Sequence, residues 1–106
     1  MALLINQAEK KIGCFEIALT GRLDNETSPR LLGVVNSLFQ SRVSALQFNL
    51  RALDYVSSAG LRIFIIAAKK LKASGGAAHF VSLTPAVRDV FHISGLLTAL
   101  GVAPPV

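Results

Sequence analysis

Residues 50–61 read Leu-Arg-Ala-Leu-Asp-Tyr-Val-Ser-Ser-Ala-Gly-Leu, an apolar strand that passes through two serines directly into a helix. A hydroxyl at such a junction lies beside unpaired backbone N–H groups and the positive end of the helix dipole. A phosphoryl group on one of these serines would be stabilised there, while its charge of about −2 would alter contacts with a docked protein. The pattern therefore predicts either a regulated serine or a pair of helix-capping serines.

Turn residues and apolar periodicity before the junction predict a hairpin followed by a helix. Two short apolar runs at residues 3–8 and 14–19 predict the β-hairpin, and residues 21–25 predict a loop. Pro29 directly after Ser28 predicts a helix whose N-cap is Ser28. The apolar residues on one face of that helix are Leu31, Val34, Val35 and Leu38.

The second half of the chain continues the alternation of strands and helices. Residues 45–50 predict a third strand, residues 59–73 a helix, and residues 78–82 a fourth strand. A short helix over residues 86–93 and an apolar turn over residues 96–100 follow. The residues of the second helix that we expect to face the core are Leu61, Phe64, Ile65, Ala68 and Leu71.

This order of elements, β-β-α-β-α-β-α-α, predicts an α/β fold. Helices between successive strands imply parallel pairing through right-handed β-α-β crossovers. We therefore expect a mixed four- to five-stranded sheet with an N-terminal β-hairpin and helices mainly on one face. Because the chain has 106 residues, of which 52% are hydrophobic and 16% charged, we expect a single domain over residues 1–106.

Hydropathy and charge indicate the cellular compartment and the class of partner. The apolar runs are shorter than the ~20 residues of a membrane span, and no basic segment precedes a long apolar one, so we expect a cytoplasmic protein. The net charge is +5. No aromatic residue interleaves with the basic clusters at residues 10–11 and 69–72, as nucleic-acid binding would require. A positive surface favours an acidic protein partner instead.

Catalysis by the serines is not expected. A serine nucleophile needs a neighbouring base and an orienting acid, and His92 is the only downstream candidate base in a predicted helix. Val56 precedes the serines, so the glycine-containing elbow of α/β-hydrolases is missing. The sequence also has no phosphate-binding glycine loop and no zinc-ligand spacing. We expect no enzyme activity, no metal and no cofactor, with His79 and His92 in packing or surface positions.

Motifs along nearly the whole chain match those of a known family. They are Gly21-Arg22-Leu23-Asp24 with Thr27, the segment Leu53-Asp54-Tyr55-Val56-Ser57-Ser58-Ala59-Gly60-Leu61-Arg62, Ala68-Lys69-Lys70-Leu71-Lys72 with Gly75-Gly76, Val87-Arg88-Asp89-Val90-Phe91, and Ser94-Gly95-Leu96. On these residues the chain resembles the STAS domain, which anti-sigma factor antagonists share with the cytosolic tails of sulphate transporters.

The resemblance implies a bacterial regulator that works by partner switching. In such systems the unmodified antagonist binds an anti-sigma factor that has serine kinase activity, and so frees a sigma factor. Phosphorylation of a serine in the strand–helix loop releases the anti-sigma factor, and a PP2C-type phosphatase restores the unmodified form. A dianion in the middle of a docking surface removes partner contacts, which is the physical basis of the release.

One position departs from the sporulation-type members, which carry Asp-Ser-Ser-Gly-Leu or Asp-Ser-Thr-Gly-Leu with the phosphorylated hydroxyl immediately before glycine. A gapless match places Ser57 on the aspartate, Ser58 on the first hydroxyl residue and Ala59 on the phosphorylated position. We expect phosphorylation of Ser58, with Ser57 as the alternative. In a third interpretation neither serine is modified, Ser58 is the N-cap, and the chain is a docking subunit of a transporter or stress-signalling assembly.

The resemblance also implies a partner-binding surface around the serines. The loop with Asp24 flanks the phosphorylation loop in this family, and ordinary turn chemistry explains its residues equally well. Arg62 either binds an acidic partner, pairs with phosphoserine, or is solvated. Ile63 and Ile66 form either a partly exposed apolar patch or a buried contact under the flanking helix. The expected binding residues are Asp24, Asn25, Thr27, Tyr55, Val56, Ser57, Ser58, Ala59, Gly60, Arg62, Ile63 and Ile66.

Overall fold

The first two strands form the expected hairpin. In the computed structural model, which describes residues 3–96, β1 (Leu3–Lys11) pairs antiparallel with β2 (Cys14–Leu23) around a two-residue turn. Gly13 in this turn has a φ of +79°, a conformation that glycine adopts without steric cost. The strands extend beyond their apolar residues, and residues 21–23 belong to β2 instead of the predicted loop.

Three helices alternate with the remaining strands. The elements that follow β2 are α1 (Ser28–Gln40), β3 (Ala45–Val56), α2 (Ser58–Ala73), β4 (Ala77–Val81) and α3 (Pro85–Ile93). β2 and β3 pair in parallel, as do β3 and β4, and the sheet order is β1-β2-β3-β4. The prediction of a mixed sheet with an N-terminal hairpin is confirmed. The predicted turn at residues 96–100 lies outside the described residues, apart from Leu96.

Four phenylalanines form the centre of the core and place two helices on the same face of the sheet. Phe48 of β3 and Phe80 of β4 stack with their ring centroids 5.0 Å apart. Phe64 of α2 meets both rings at 5.2 Å, and Phe91 of α3 lies 6.0 Å from the ring of Phe80. Such edge-to-face and stacked contacts add to the energy of apolar burial.

Helix α1 begins at Ser28, and its N-cap is Thr27 instead of the predicted Ser28. The main-chain carbonyl of Asp24 accepts hydrogen bonds from both the N–H and the hydroxyl of Ser28. The turn that enters the helix is therefore closed by the backbone of Asp24, and no serine cap is needed. The predicted apolar stripe is confirmed: Leu31, Val35 and Leu38 are buried, and Val34 packs against the core.

Helix α2 is covered on two sides, by the sheet and by α1. Its predicted stripe is confirmed at Leu61, Phe64 and Leu71, whereas Ile65 and Ala68 are only half-buried. The contact with α1 shifts the buried arc of the helix toward Ile63 and Ala67, which are buried instead. Among the helices of residues 3–96, none is both long enough and apolar enough to cross a bilayer.

Candidate functional site

The two loops singled out in the sequence meet at one end of the sheet. Leu23 and Val56 are paired at the carboxyl ends of the parallel strands β2 and β3. The N–H of Ser57 donates to the carbonyl of Leu23 over 2.8 Å, so the serine junction is tied directly to the end of β2. The β2–α1 loop, which contains Asp24 and Asn25, therefore lies beside the start of α2.

Ser57 is the N-cap of α2, which corrects the interpretation that Ser58 caps the helix. Ser57 has an extended backbone, and its Oγ accepts a hydrogen bond of 3.3 Å from the N–H of Gly60. The same hydroxyl donates to Oδ1 of Asn25 over 3.5 Å. The Ser57 hydroxyl thus accepts from one protein group and donates over a long distance to another, and the bond from Gly60 is the arrangement that stabilises a helix start.

Ser58 is the first residue of α2, and its side chain is exposed. Its hydroxyl makes no hydrogen bond to any other residue of the described chain, in contrast to that of Ser57. The position lies in the first helical turn, where unpaired N–H groups and the helix dipole favour a negative group. Of the two serines, Ser58 is the one that offers an unengaged hydroxyl to solvent.

The β2–α1 loop is held together by the carboxylate of Asp24. Oδ1 of Asp24 accepts from the N–H groups of Glu26 and Thr27, each over 3.0 Å. Oγ1 of Thr27 accepts in turn from the N–H of Asp24 over 2.8 Å and donates to the carbonyl of Arg22 over 2.9 Å. The hydrogen bond from the Thr27 N–H is the main cause that lowers the pKa of Asp24 below its ordinary value of 3.8. The loop is a hydrogen-bonded turn built around the carboxylate of Asp24.

Arg22 joins this loop to the end of β3, a role that the sequence did not reveal. Its guanidinium carbon lies 4.2 Å from the centroid of the Tyr55 ring, and its Nε lies 3.9 Å from Oδ2 of Asp24. Arg22 and Tyr55 are partners in the β2–β3 register. Since that register depends on a bulge between distant segments, only the strand pairing brings the two residues together.

Two shallow grooves run along either side of Ser58. Asn25 and Ser58 line both of them. The first groove, between the starts of α1 and α2, is lined by Asn25, Ser28, Pro29, Leu32, Ser58, Ala59, Arg62 and Ile63. The second groove, at the strand ends, is lined by Arg22, Asp24, Asn25, Glu26, Tyr55, Ser57 and Ser58. Ser58 therefore lies on the ridge between an apolar-walled groove and an acidic one.

Comparison with known proteins identifies the fold and the family. The STAS domain model matches residues 6–105. BtrV of Bordetella bronchiseptica, named provisionally as an anti-sigma factor antagonist, is 36% identical over 94 aligned residues, which cover 77% of this chain and 81% of BtrV. This chain is a STAS domain of the anti-sigma factor antagonist family.

Solved structures agree with this assignment and confirm the predicted fold. An anti-sigma factor antagonist from Mycobacterium paratuberculosis superposes with a TM-score of 0.84 at 25% identity, over 99% of this chain and 88% of that one. The antagonist SpoIIAA in its unphosphorylated form gives a TM-score of 0.83 at 24% identity, over 95% of this chain and 89% of that one. The likeness to SpoIIAA shows a shared fold.

Within this STAS domain, the expected binding residues divide by their exposure. Asn25, Tyr55, Ser58 and Arg62 are exposed, and Asp24, Ser57, Ala59 and Ile66 are half-buried. Thr27, Val56, Gly60 and Ile63 are buried, and of these Ile63 forms part of the wall of the first groove. Of the two alternatives for Ile63, the structure agrees with burial against the neighbouring helix and not with an exposed apolar patch.

Gly60 is a packing residue of the STAS domain. A Cβ atom built on it would lie 2.7 Å from Cγ of Leu23 and 2.9 Å from Cγ2 of Val56. Both distances are far below van der Waals contact, because the first turn of α2 presses against the ends of β2 and β3. Because position 60 has no side chain, the first turn of α2 can lie close to the sheet. Gly60 thereby fixes the position of Ser58 relative to the strand ends.

Proposed function

We propose that this STAS domain regulates transcription in the bacterial cytoplasm by partner switching. The unmodified form binds an anti-sigma factor that has serine kinase activity and so frees a sigma factor. The kinase phosphorylates Ser58, and the modified form dissociates from it. A PP2C-type phosphatase then removes the phosphate and restores the binding form. The family assignment supports the anti-sigma factor as the partner.

The single observation that carries the proposal is the different state of the two serine hydroxyls. A kinase needs a hydroxyl that can reach its phosphate donor. The hydroxyl of Ser57 is engaged by Gly60 and Asn25. Ser58 is exposed on the ridge between the two grooves, where a bound partner would cover it. The same residue is thus accessible to an enzyme and central to a docking surface.

The electrostatics of the second groove support release on phosphorylation. Asp24 and Glu26 already line it with two carboxylates, opposed by Arg22. A phosphoryl group on Ser58 adds a charge of about −2 to this acidic side of the ridge. The helix N-terminus stabilises that charge locally, so the fold tolerates the modification. An acidic partner surface would be repelled, and an apolar one would have to pay for desolvation of the dianion.

Binding is proposed as the activity in place of catalysis. A serine hydrolase would need a histidine in hydrogen-bond reach of the nucleophile. In the part of the chain that the structure describes, no histidine lines either groove beside Ser58. The grooves instead offer a charged wall, an exposed phenol ring and an apolar wall, which are features of protein recognition.

Mass spectrometry of the protein recovered from its host tests the modification. We expect a gain of about 80 Da that fragment spectra place on Ser58. Ser58→Ala should abolish the gain, whereas the matched variant Ser57→Ala should retain it. Phosphate on Ser57 alone would contradict the assignment.

Affinity capture from host lysate tests the switch. The unmodified protein should retain a protein of the anti-sigma factor class, which mass spectrometry would identify, and Ser58→Asp should lose it. Ser57→Thr, which keeps a capping hydroxyl, is the matched control and should retain the same protein. Equal retention by Ser58→Asp would contradict partner switching.

Ala59 favours a second candidate function, a constitutive docking subunit of a transporter or stress-signalling assembly. This residue stands where sporulation-type members carry the phosphorylated hydroxyl. The candidate predicts that neither serine carries phosphate under any growth condition. It also predicts that Ser58→Ala leaves the set of captured proteins unchanged.

A further inference from the structure

The end of the molecule opposite Ser58 is built by three turns that are bonded to one another. The carbonyl of Gly13 in the hairpin turn accepts from the N–H groups of Ser44 and Ala45 over 2.8 and 3.2 Å. The carbonyl of Ser44 accepts from the N–H of Ala77 over 3.2 Å, which joins the α1–β3 loop to the turn after α2. We call this surface, formed by residues 10–13, 41–44 and 69–76, the basal surface.

The basal surface carries most of the positive charge of the chain. Of the eleven lysines and arginines, six exposed ones lie on it: Lys10, Lys11, Arg42, Lys69, Lys70 and Lys72. Two carboxylates lie nearby, and both are engaged. Glu9 accepts from the N–H of Gly13 over 3.0 Å, and Glu16 lies 3.7 Å from Nζ of Lys10. Lysines at the end of α2 complement its dipole, Arg42 follows the C-cap of α1, and Lys10 lies beside Glu16. Lys11 has no such partner among the described residues, and together the six cations outnumber the two carboxylates.

A fully exposed aliphatic side chain projects from the same surface. Ile12 lies at the tip of the hairpin, directly after the two lysines, and 98% of its surface is accessible. A groove that Lys10 and Cys14 help to line lies beside the hairpin, but Ile12 is not part of its wall. No other apolar residue of the described chain is as exposed as Ile12. An aliphatic tip on the same surface as six cations matches the chemistry of an anionic bilayer surface, which offers negative headgroups above an apolar layer.

We propose that the basal surface binds anionic lipid bilayers, with Ile12 inserted at the boundary of headgroups and acyl chains. Charge alone would also suit a nucleic acid, but the surface has no exposed aromatic ring for base stacking. Phe39 is half-buried, and Nζ of Lys70 lies 5.4 Å above its ring. Bound in this way, the domain would present Ser58 away from the bilayer, at the far end of the twelve-residue strand β3. The proposal does not depend on phosphorylation.

Tryptophan fluorescence tests the insertion, since the natural chain contains no tryptophan. Ile12→Trp is titrated with vesicles of phosphatidylcholine alone and with vesicles that also contain phosphatidylglycerol. We expect a blue shift with the anionic vesicles only, reversed by salt because the attraction is screened. Tyr55→Trp, at the opposite end of β3, should show no shift with either vesicle. No shift for Ile12→Trp at low salt, or an equal shift for both variants, would overturn the proposal.

Vesicle co-sedimentation measures separately how much Ile12 and the positive charges contribute to bilayer binding. Ile12→Asn should weaken binding of the unlabelled protein to anionic vesicles by about tenfold, which corresponds to losing the burial of one aliphatic side chain. Lys10→Gln with Lys11→Gln should weaken binding, whereas Arg51→Gln with Arg62→Gln removes the same charge elsewhere and should have little effect. Equal losses for the two pairs, or tighter binding to single-stranded RNA than to vesicles, would contradict a bilayer site.

Discussion

The guanidinium group of Arg22 lies over the ring of Tyr55 and reaches toward Asp24 with the same side chain. One arginine thus connects the end of β3 to the hydrogen-bonded β2–α1 loop. Both contacts are partly exposed, so they add little to the free energy of unfolding. Their effect is to fix the phenol ring at the edge of the acidic groove, where a partner would meet it already ordered.

Removal of the Tyr55 ring should have a small effect on stability. We expect Tyr55→Ala to lower the free energy of unfolding by about 0.5–1 kcal/mol, the usual size of an exposed cation–π contact. Tyr55→Phe keeps the ring and should be close to the natural protein in urea unfolding. If Tyr55→Phe destabilises as much as Tyr55→Ala, the hydroxyl and not the ring is the important group.

The two serines should differ in their contribution to folding. Ser57→Ala removes the N-cap hydrogen bond to Gly60 and is expected to lower the free energy of unfolding by about 1 kcal/mol. Ser58→Ala removes an exposed hydroxyl without a partner and should change it by less than about 0.5 kcal/mol. Urea titrations of the two variants side by side make the comparison. Equal losses would contradict the assignment of Ser57 as the cap.

Gly60 and Gly33 offer a matched pair of helical glycines. Gly60→Ala places a methyl group against Leu23 and Val56 and should destabilise the domain by about 1–3 kcal/mol. A Cβ on Gly33, in α1, meets nothing within 4 Å. Gly33→Ala should therefore stabilise by about 0.5–1 kcal/mol through helix propensity. Thermal unfolding measures both, and a stabilising Gly60→Ala would show that α2 can move away from the sheet.

Acid should weaken the β2–α1 loop through Asp24. Because hydrogen bonds lower its pKa in the folded state, ionised Asp24 stabilises the fold fully above its ordinary pKa of 3.8. That contribution is lost as the pH falls from this value through the lower folded pKa. Asp24→Asn keeps an oxygen acceptor but no charge, so the natural protein should exceed it in unfolding free energy at pH 7 and lose that advantage toward pH 2. A difference that is constant with pH would contradict this role of the charge.

The length of β3 could not be predicted from the alternation of apolar and polar residues. The predicted strand at residues 45–50 ended where Arg51 and Asp54 interrupt the apolar run, yet β3 continues to Val56. Two register shifts in the pairing with β2 accompany a change in the spacing of the buried residues from two to three, so that Leu50, Leu53 and Val56 are all buried. A bulge of this kind depends on the partner strand, and a single-strand pattern does not contain it.

Some features of the candidate site are encoded in neighbouring residues, and others depend on contacts between distant parts of the sequence. The serine junction could be predicted because a strand end and a helix start are both encoded within one short segment. The exact cap was misplaced by one residue, which is the usual uncertainty of a helix boundary. The position of Arg22 over Tyr55 required the strand register, and the burial of Ile63 required the contact between α1 and α2.

The hydrogen bonds of Ser57 make the two neighbouring serines chemically different in the folded protein but not in the unfolded chain. Two neighbouring serines are nearly equivalent in an extended peptide, and a kinase that reads local sequence alone has little basis to choose between them. Only the folded domain occupies one hydroxyl and leaves the other open. Under the proposed switch, phosphate on Ser58 alone would indicate modification of the folded protein. A mixture of phosphate on Ser57 and Ser58 would indicate that some molecules were modified before they folded.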